Sequence, residues 1–358
     1  MRIGIIGAGQ LGQMLGFAAA ELGIETRFVD PSENPPAARC GKVIQAAFDD
    51  EVALVALAET CDVVTYEFEN VPVEALHHLQ GIAPVYPPAE ALRQSQDRLD
   101  EKHLFESLGI PLPAYHPVDS REDLQAAAEA VGLPMVVKTR RFGYDGKGQI
   151  VVKTADKLDS AWEQLGGQAL IAEQWVPFDR EVSCIGARSV SGEVAIYPLA
   201  QNMHVEGILH TSLSPADGDQ LAAKAADYVR RLLDQLEYVG VLALELFVVG
   251  DELLANEFAP RVHNSGHWSI EGSITSQFEN HVRAILDMPL GSTESVGHAG
   301  MVNLIGTIKD ATRRLDIGTL HDYGKEPRPG RKLGHVTVVA DTPEQREALV
   351  EIIDNSVT

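Results

Sequence analysis

The stretch from Val239 to His267, VGVLALELFVVGDELLANEFAPRVHNSGH, reads as two apolar strands around a turn at Gly250-Asp251-Glu252. Alternating Val, Leu and Phe broken only by turn formers are the mark of a β-hairpin. A turn of those three residues sets Glu245 directly opposite Glu257. Opposed carboxylates lie about 5 Å apart and repel, so a positive charge is expected between them. With Asn256, Arg261, His263 and Asn264 close by in sequence, the pair suits Mg²⁺ held against nucleotide phosphates, although edge-exposed glutamates on a buried hairpin would read the same way.

The chain has 358 residues, 45% of them hydrophobic, enough for two or three domains with cores of their own. Its 29 basic and 52 acidic residues leave a net charge of −23. Such a field repels nucleic acid and anionic membranes, so neither is an expected partner, and a phosphate ligand needs a local basic pocket. No apolar run has the length of a membrane span and no signal-peptide pattern develops, so a cytoplasmic location is expected. Cys40, Cys61 and Cys184 lack metal-site spacing and read as reduced, small core residues.

Arg2 to Ile6 reads as a strand entering the turn Gly7-Ala8-Gly9-Gln10-Leu11-Gly12 and a helix from Leu11 to Leu22. The G-x-G-x-x-G spacing lets an anion approach a helix N-terminus. A second strand, Glu25 to Val29, ends in Asp30, where a ribose-binding acid would sit. Alone, this pattern points to an NAD-dependent oxidoreductase or merely to close helix-sheet packing. Strands at Lys42 to Gln45 and Asp62 to Glu67, with a helix from Asp50 to Glu59, complete a βαβαβ sheet whose carboxyl edge offers Glu67 as a ligand-binding acid or a solvated loop carboxylate.

After Pro84, Pro87 and Pro88, residues Glu90 to Ser107 read as one charged helix, with Arg98 and Lys102 on one face, a pattern usual for a solvated surface. A strand (Ala114 to Pro117), a helix (Arg121 to Val131) and a strand (Met135 to Thr139) carrying Lys138 lead into RRFGYDGKGQ, residues 140–149, and a strand at Ile150 to Lys153. A glycine-rich turn between strands can cover triphosphate, with Lys138 and Lys147 supplying charge. It lacks the Gly-Lys-Ser/Thr ending of a Walker A loop.

Further strands are expected at Leu170 to Val176, Arg180 to Val190, Glu193 to Leu199 and Gln201 to Ser214. Glu173-Gln174-Trp175-Val176 and Glu181 suit a nucleotide rim, and His204, in polar company beside Asn202, reads as structural. A helix over Gln220 to Leu236 covers this sheet, and another is expected from Ser273 to Leu286. His263 and His267 have zinc-like spacing, but the Asn-Ser-Gly between them reads as a loop and argues against zinc. Strands at Met301 to Ile305 and Lys332 to Ala340 bracket YGKEPRPGRK, whose basic residues suit a phosphate or a solubilising loop.

Taken together, the sheet domain, the glycine-rich hairpin, Glu245 with Asn256-Glu257, and the basic loop resemble the ATP-grasp carboxylate-amine ligases over essentially the whole chain. GYDGKGQ from Gly143, NEFAPRVHNSGHW from Asn256 and KEPRPGRKLGH from Lys325 are most similar to the purine-biosynthetic members that carboxylate 5-aminoimidazole ribonucleotide; Val262 stands where the wider family often has proline. The resemblance implies a mixed α/β and α+β architecture: an N-terminal Rossmann-like pre-ATP-grasp domain (1–96), an ATP-grasp domain (97–290) with a mobile loop at 143–148, and a small C-terminal domain (291–358).

By the same resemblance the protein is an ADP-forming ligase that joins bicarbonate to the ribonucleotide amine through carboxyphosphate. ATP would bind Arg98, Lys138, the loop Gly143, Tyr144, Asp145, Gly146, Lys147, Gly148 and Gln149, then Glu173, Gln174, Trp175, Val176, Glu181, His204, Asn256 and Glu257. Glu245 and Glu257 would hold one or two Mg²⁺ ions. The ribonucleotide would meet Gln10, Leu11, Glu67, Tyr144, Arg261, His263, Asn264, Lys325, Arg331 and Lys332, with Asp145, Arg261, His263 and Asn264 in the chemistry. A homodimer and hand-over of product to the next purine-pathway mutase are also implied. The competing readings are a formate-dependent glycinamide ribonucleotide transformylase or biotin carboxylase-like ligase, the NAD-dependent oxidoreductase, and a nucleotide-binding regulator without catalysis.

Overall fold

Arg2–Ile6 forms β1, and the glycine turn after it opens helix α1 (Gln10–Glu21). β2 (Glu25–Asp30), β3 (Lys42–Gln45), α2 (Glu51–Ala58) and β4 (Val63–Tyr66) complete a parallel sheet of order β3-β2-β1-β4. This computed structural model describes residues 1–143, 146–216 and 219–357.

α3 (Val73–His77) leads to α4 (Ala89–Gln96) and α5 (Arg98–Ser107), so the single helix expected over Glu90 to Ser107 is two. Asp97 causes the break. Its backbone is extended (φ −120°, ψ 115°), and its carboxylate accepts the Leu99 N–H at 2.9 Å, starting a new helix. The same carboxylate takes Arg140 Nε and Nη2, each at 2.9 Å, which fixes the approach to the glycine-rich loop.

β5 (Tyr115–Val118), α6 (Arg121–Val131), β6 (Met135–Thr139), β7 (Gln149–Val152), α7 (Leu158–Leu165) and β8 (Leu170–Gln174) build an antiparallel sheet of order β5-β8-β6-β7. The chain then enters a larger sheet through β9 (Arg180–Arg188), β10 (Val194–Ile196), β11 (Ala200–Val205) and β12 (Ile208–Ser214). The continuous strand expected from Gln201 to Ser214 is instead a hairpin, because the chain reverses at Glu206 and Gly207 with φ of 52° and 78°.

α8 (Asp219–Gln235) covers β9 and the hairpin β13 (Gly240–Val249) and β14 (Glu252–Ala259). α9 (Ser269–Gly272) and α10 (Gln277–Ile285) follow; the second starts later than the expected Ser273, where Ser276 caps it by accepting the Glu279 N–H at 3.1 Å. β15 (His298–Ile305), α11 (Asp310–Arg313), β16 (Thr319–Asp322), β17 (Lys332–Ala340) and α12 (Pro343–Val357) end the chain. β15 pairs with β12, so the C-terminal strands extend the larger sheet, in the order β14-β13-β9-β11-β12-β15-β17-β16. That continuity carries Lys332 to the same sheet as Glu245.

The N-terminal sheet is tied to this body by a shared core in which Leu11, Met14 and Leu15 of α1 join Phe278 and Val282 of α10. His281 adds a polar link. Its Nδ1 accepts the Val241 N–H at 3.1 Å, which leaves Nε2–H to donate to Thr65 Oγ1 at 2.9 Å. Burial lowers its pKa to about 3. The three cysteines are free, Cys184 buried and Cys40 and Cys61 half-buried. Among the described residues no helix is long and apolar enough to cross a membrane.

Candidate active site

The hairpin pairing is as expected, but the turn is not. Val249 pairs with Glu252, so the turn holds only Gly250 and Asp251, and an unbroken ladder would put Glu245 opposite Asn256. A bulge at Asn256 shifts the register and brings Glu257 opposite Glu245. The bulged Asn256 leaves its side-chain Oδ1 buried with no hydrogen-bond partner. Burial and the facing Glu257 push the Glu245 carboxyl up to about 7. Two carboxylates and an unsatisfied amide oxygen make a donor set of the hard type that Mg²⁺ prefers.

Cations converge on this pair from two directions. Arg98, the first residue of α5, donates from Nη1 to Glu257 Oε2 at 2.8 Å, and Lys138 on β6 donates to Glu173 Oε2 at 2.8 Å. Lys102 is not on a solvated face: it is fully buried, with Nζ donating to Asn256 O at 2.6 Å and lying 3.6 Å from Glu173 Oε1. Burial alone would raise the Glu173 pKa, yet Lys102, Lys138 and Arg98 bring it down to about 2. Burial also raises Glu257, and Arg98 outweighs it, leaving that carboxyl below its ordinary range. Three cations against these two carboxylates leave positive charge for a polyphosphate. On the rim, Glu181 Oε2 holds His204 Nδ1 at 2.8 Å, while Gln174, Trp175 and Val176 carry on from Glu173.

The glycine-rich segment follows β6. Gly143 O lies 3.5 Å from Arg98 Nη2, and Gly146, at φ 73°, passes so close to the β11–β12 turn that a Cβ there would be 3.2 Å from Glu206 O. Tyr144 and Asp145, expected to touch substrate, lie outside the described residues. Lys147 is exposed, and Gln149 opens β7.

On the opposite side, Asp30 is not a ribose acid waiting for NAD. It is buried, accepting the N–H groups of Ala8 and Ser32 at 2.8 Å each. The anion position at the head of α1 is taken by Glu67, which accepts the Gly9 N–H at 2.8 Å and the Gly12 N–H at 3.3 Å. A Cβ on Gly9 would stand 2.8 Å from Glu67 Oε1, so the glycine pattern is required by the protein's own carboxylate. Burial raises the Glu67 pKa despite those bonds. Leu11 is core, so only its backbone can line a site.

Gln10 meets the C-terminal loop through a hydrogen bond from Lys325 Nζ to its Oε1. Burial, assisted by Arg331, lowers Lys325 to about 8. Arg331 Nη1 donates to Glu326 O at 3.2 Å, and Lys332 begins β17. Arg261 feels the charges of both Glu257 and Glu67, and its Nη2 and Nε donate to Glu69 Oε2 at 2.6 and 3.1 Å.

His263 Nδ1 accepts the Ser265 N–H at 3.3 Å, which turns Nε2 toward Glu245 Oε1 at 3.2 Å. Burial and Arg261 push its pKa well below the ordinary value, so the ring is neutral and Nε2–H is the donor. Both ends of the Asn264 amide are held by Asn303: one N–H···O bond of 3.1 Å and a return bond of 2.8 Å. Glu69, Lys102, Asn303 and Gln277, which holds the His263 backbone at both N–H and C=O, escaped the sequence reading. Only the i, i+4 spacing of Arg98 and Lys102 offered a signal.

With this geometry in view, likeness to known proteins decides the family. An ATP-grasp domain matches residues 103–278, a ribonucleotide synthetase preATP-grasp domain residues 1–96, and a phosphoribosylaminoimidazole carboxylase C-terminal domain residues 299–349. The chain is 48% identical over 355 residues to N5-carboxyaminoimidazole ribonucleotide synthase of Pseudomonas aeruginosa, covering 98% of each. The chain belongs to the N5-carboxyaminoimidazole ribonucleotide synthase family. The crystal structure of the synthetase from Thermus thermophilus superimposes with a TM-score of 0.95 at 51% identity, over 99% of this chain and 98% of that one. The family's enzyme from Aspergillus clavatus, solved in complex with ADP and 5-aminoimidazole ribonucleotide, gives 0.93 at 30% identity over 99% and 98%. Membership in the synthase family replaces the oxidoreductase and regulator readings.

Proposed function

We infer that the protein carboxylates 5-aminoimidazole ribonucleotide with bicarbonate and ATP, releasing N5-carboxyaminoimidazole ribonucleotide, ADP and phosphate in purine biosynthesis. The observation that supports this reading is that Arg261 lies close enough to feel the charges of both Glu257, the partner of Arg98, and Glu67, the carboxylate at the glycine turn. On this reading 1–96 and 291–358 enclose the ribonucleotide and 97–290 the nucleotide.

Bicarbonate is a poor electrophile because its leaving group would be hydroxide. Its oxygen attacks the γ-phosphorus of ATP, ADP leaves, and the resulting carboxyphosphate gives up phosphate as its carboxyl group passes to the ribonucleotide amine, directly or through released CO₂, with loss of a proton from the amine. Arg98 and Lys138 neutralise charge on the transferred phosphoryl, and Arg261 orients bicarbonate and the carboxylate of carboxyphosphate. Glu245 and Glu257, with Asn256 Oδ1, are suited to one or two Mg²⁺ ions, which when bound supply further charge neutralisation. Neutral His263 donates toward Glu245 and keeps that carboxylate oriented. Lys325, Arg331 and Lys332 take the ribonucleotide phosphate. Gln10 and Glu67 are assigned to its base and ribose, as the family resemblance assigns Tyr144 and Asp145, and Asn264 shapes the pocket through Asn303. The 143–148 loop shields carboxyphosphate from water. A cytoplasmic homodimer that passes its product to the next pathway mutase fits the family resemblance.

The test is isotopic: with ¹³C-bicarbonate, ATP and the ribonucleotide, the label enters the ribonucleotide product. Label absent from that product while ATP is consumed would point to another acceptor.

A further inference from the structure

The ion pair at Arg261 joins two parts of the fold that share no strand. Glu69 lies in the segment after β4 of the N-terminal sheet, and Arg261 follows β14. The contact is built rather than incidental. Arg261 and Glu69 side chains are 15% and 32% exposed, and the Gln96 side chain fixes the Glu69 segment by donating to Glu69 O at 2.9 Å and Val71 O at 2.7 Å. Gln96 Oε1 in turn accepts from Arg141 Nη2 at 2.9 Å, at the entrance to the glycine-rich loop.

Arg261 Nε and Nη2 both donate to the single oxygen Oε2 of Glu69, and Nη1 donates to Val262 O at 3.1 Å. Three of the five guanidinium N–H groups are thereby occupied, leaving one on each terminal nitrogen. A guanidinium takes a planar carboxylate through two such N–H groups, and bicarbonate offers two coplanar oxygens of that kind. We propose that Glu69 is a positioning residue for the carboxylation, holding the Arg261 guanidinium so that its two remaining N–H groups meet bicarbonate and then carboxyphosphate. This rests on the role of Arg261 inferred above. Because one oxygen takes both N–H groups, the amide oxygen of glutamine can replace it, whereas a missing side chain lets the guanidinium rotate.

The experiment measures ADP and carboxylated product separately while ATP, ribonucleotide and bicarbonate are varied in turn. Glu69→Ala raises the Michaelis constant for bicarbonate about tenfold or more, the scale of one charge-assisted hydrogen bond, and leaves that for ATP within about twofold. Misplaced carboxyphosphate hydrolyses, so ADP released per product exceeds that of the unaltered protein, and Glu69→Gln restores most of both. An unchanged bicarbonate constant in Glu69→Ala overturns the proposal. So does an equal loss for every substrate with a lower melting temperature, the signature of a mere tether, or a Glu69→Gln protein as impaired as Glu69→Ala. Arg261→Ala run in parallel separates the two readings: if it retains full turnover the role of Arg261 itself fails, and if it alone collapses only Glu69 is released from its part.

Discussion

Glu245 and Glu257 face each other across β13 and β14 because Asn256 bulges between a two-residue turn and the paired carboxylates. The bulge places a repulsive pair next to an unsatisfied amide oxygen, an arrangement that a bound divalent cation would relieve. With its pKa raised to about 7, Glu245 binds its proton more tightly folded than unfolded, so stability falls as pH rises from the ordinary value of 4.5 to about 7 and the full penalty persists above it. Glu245→Gln is therefore expected to stabilise the nucleotide-free protein at pH 8, while ATP turnover falls by about a hundredfold or more. Melting with and without Mg²⁺ and ATP checks this: the variant should melt higher when free and gain less from ligand. A lower melting temperature when free would contradict it.

With the ribonucleotide phosphate held by Lys325 as proposed, that lysine is expected to set a pH limit on binding. Burial and Arg331 lower its pKa to about 8, so the ammonium is present below that pH and is lost as pH rises through it. The Michaelis constant for the ribonucleotide should climb above about pH 8 while that for ATP stays level. Lys325→Arg should flatten the climb, and Lys325→Ala combined with Arg331→Ala should raise the constant at every pH, since ground-state phosphate binding is lost.

Acid stability is expected to depend on His281. Its ring stays neutral in the fold down to about pH 3, whereas in the unfolded chain it takes a proton near pH 6.5. The unfolded state then binds more protons between those limits, and stability falls as pH is lowered through that window. His281→Asn keeps an acceptor for the Val241 N–H and removes the titration. Urea midpoints between pH 7 and pH 4 should show a shallower decline in this variant, although it loses the bond to Thr65.

Residue types and spacing marked the candidate site more clearly than the contacts that hold it. Apolar alternation marked β13 and β14, but whether Glu245 meets Glu257 hinged on a bulge that no local pattern announces. The helix from Glu90 looked continuous because nothing but Asp97 interrupts it, and that residue breaks it only through its bonds to Leu99 and Arg140. Lys102 resembled a surface lysine because helical spacing tells which residues share a face and not what the face meets. Glu67 was legible as an acid at a strand end, yet its seat among the Gly9 and Gly12 N–H groups depends on residues 58 and 55 positions away. Asn303 and Glu69 act across 39 and 192 residues, distances at which periodicity carries no information.

Arg261→Ala should lower turnover by about a hundredfold to a thousandfold, the range seen when a preorganised charge partner of the transition state is removed. The Michaelis constant for ATP should stay close to that of the unaltered protein, since Arg98 and Lys138 remain in place. Steady-state kinetics at saturating ribonucleotide checks both, and an unaltered turnover would remove Arg261 from the chemistry.

The most direct measurement is ADP release with ATP, Mg²⁺ and bicarbonate, with and without 5-aminoimidazole ribonucleotide. Strong stimulation by the ribonucleotide, lost when bicarbonate is depleted, is the predicted result. ADP release that ignores the ribonucleotide would contradict it and assign the nucleotide site to another acceptor.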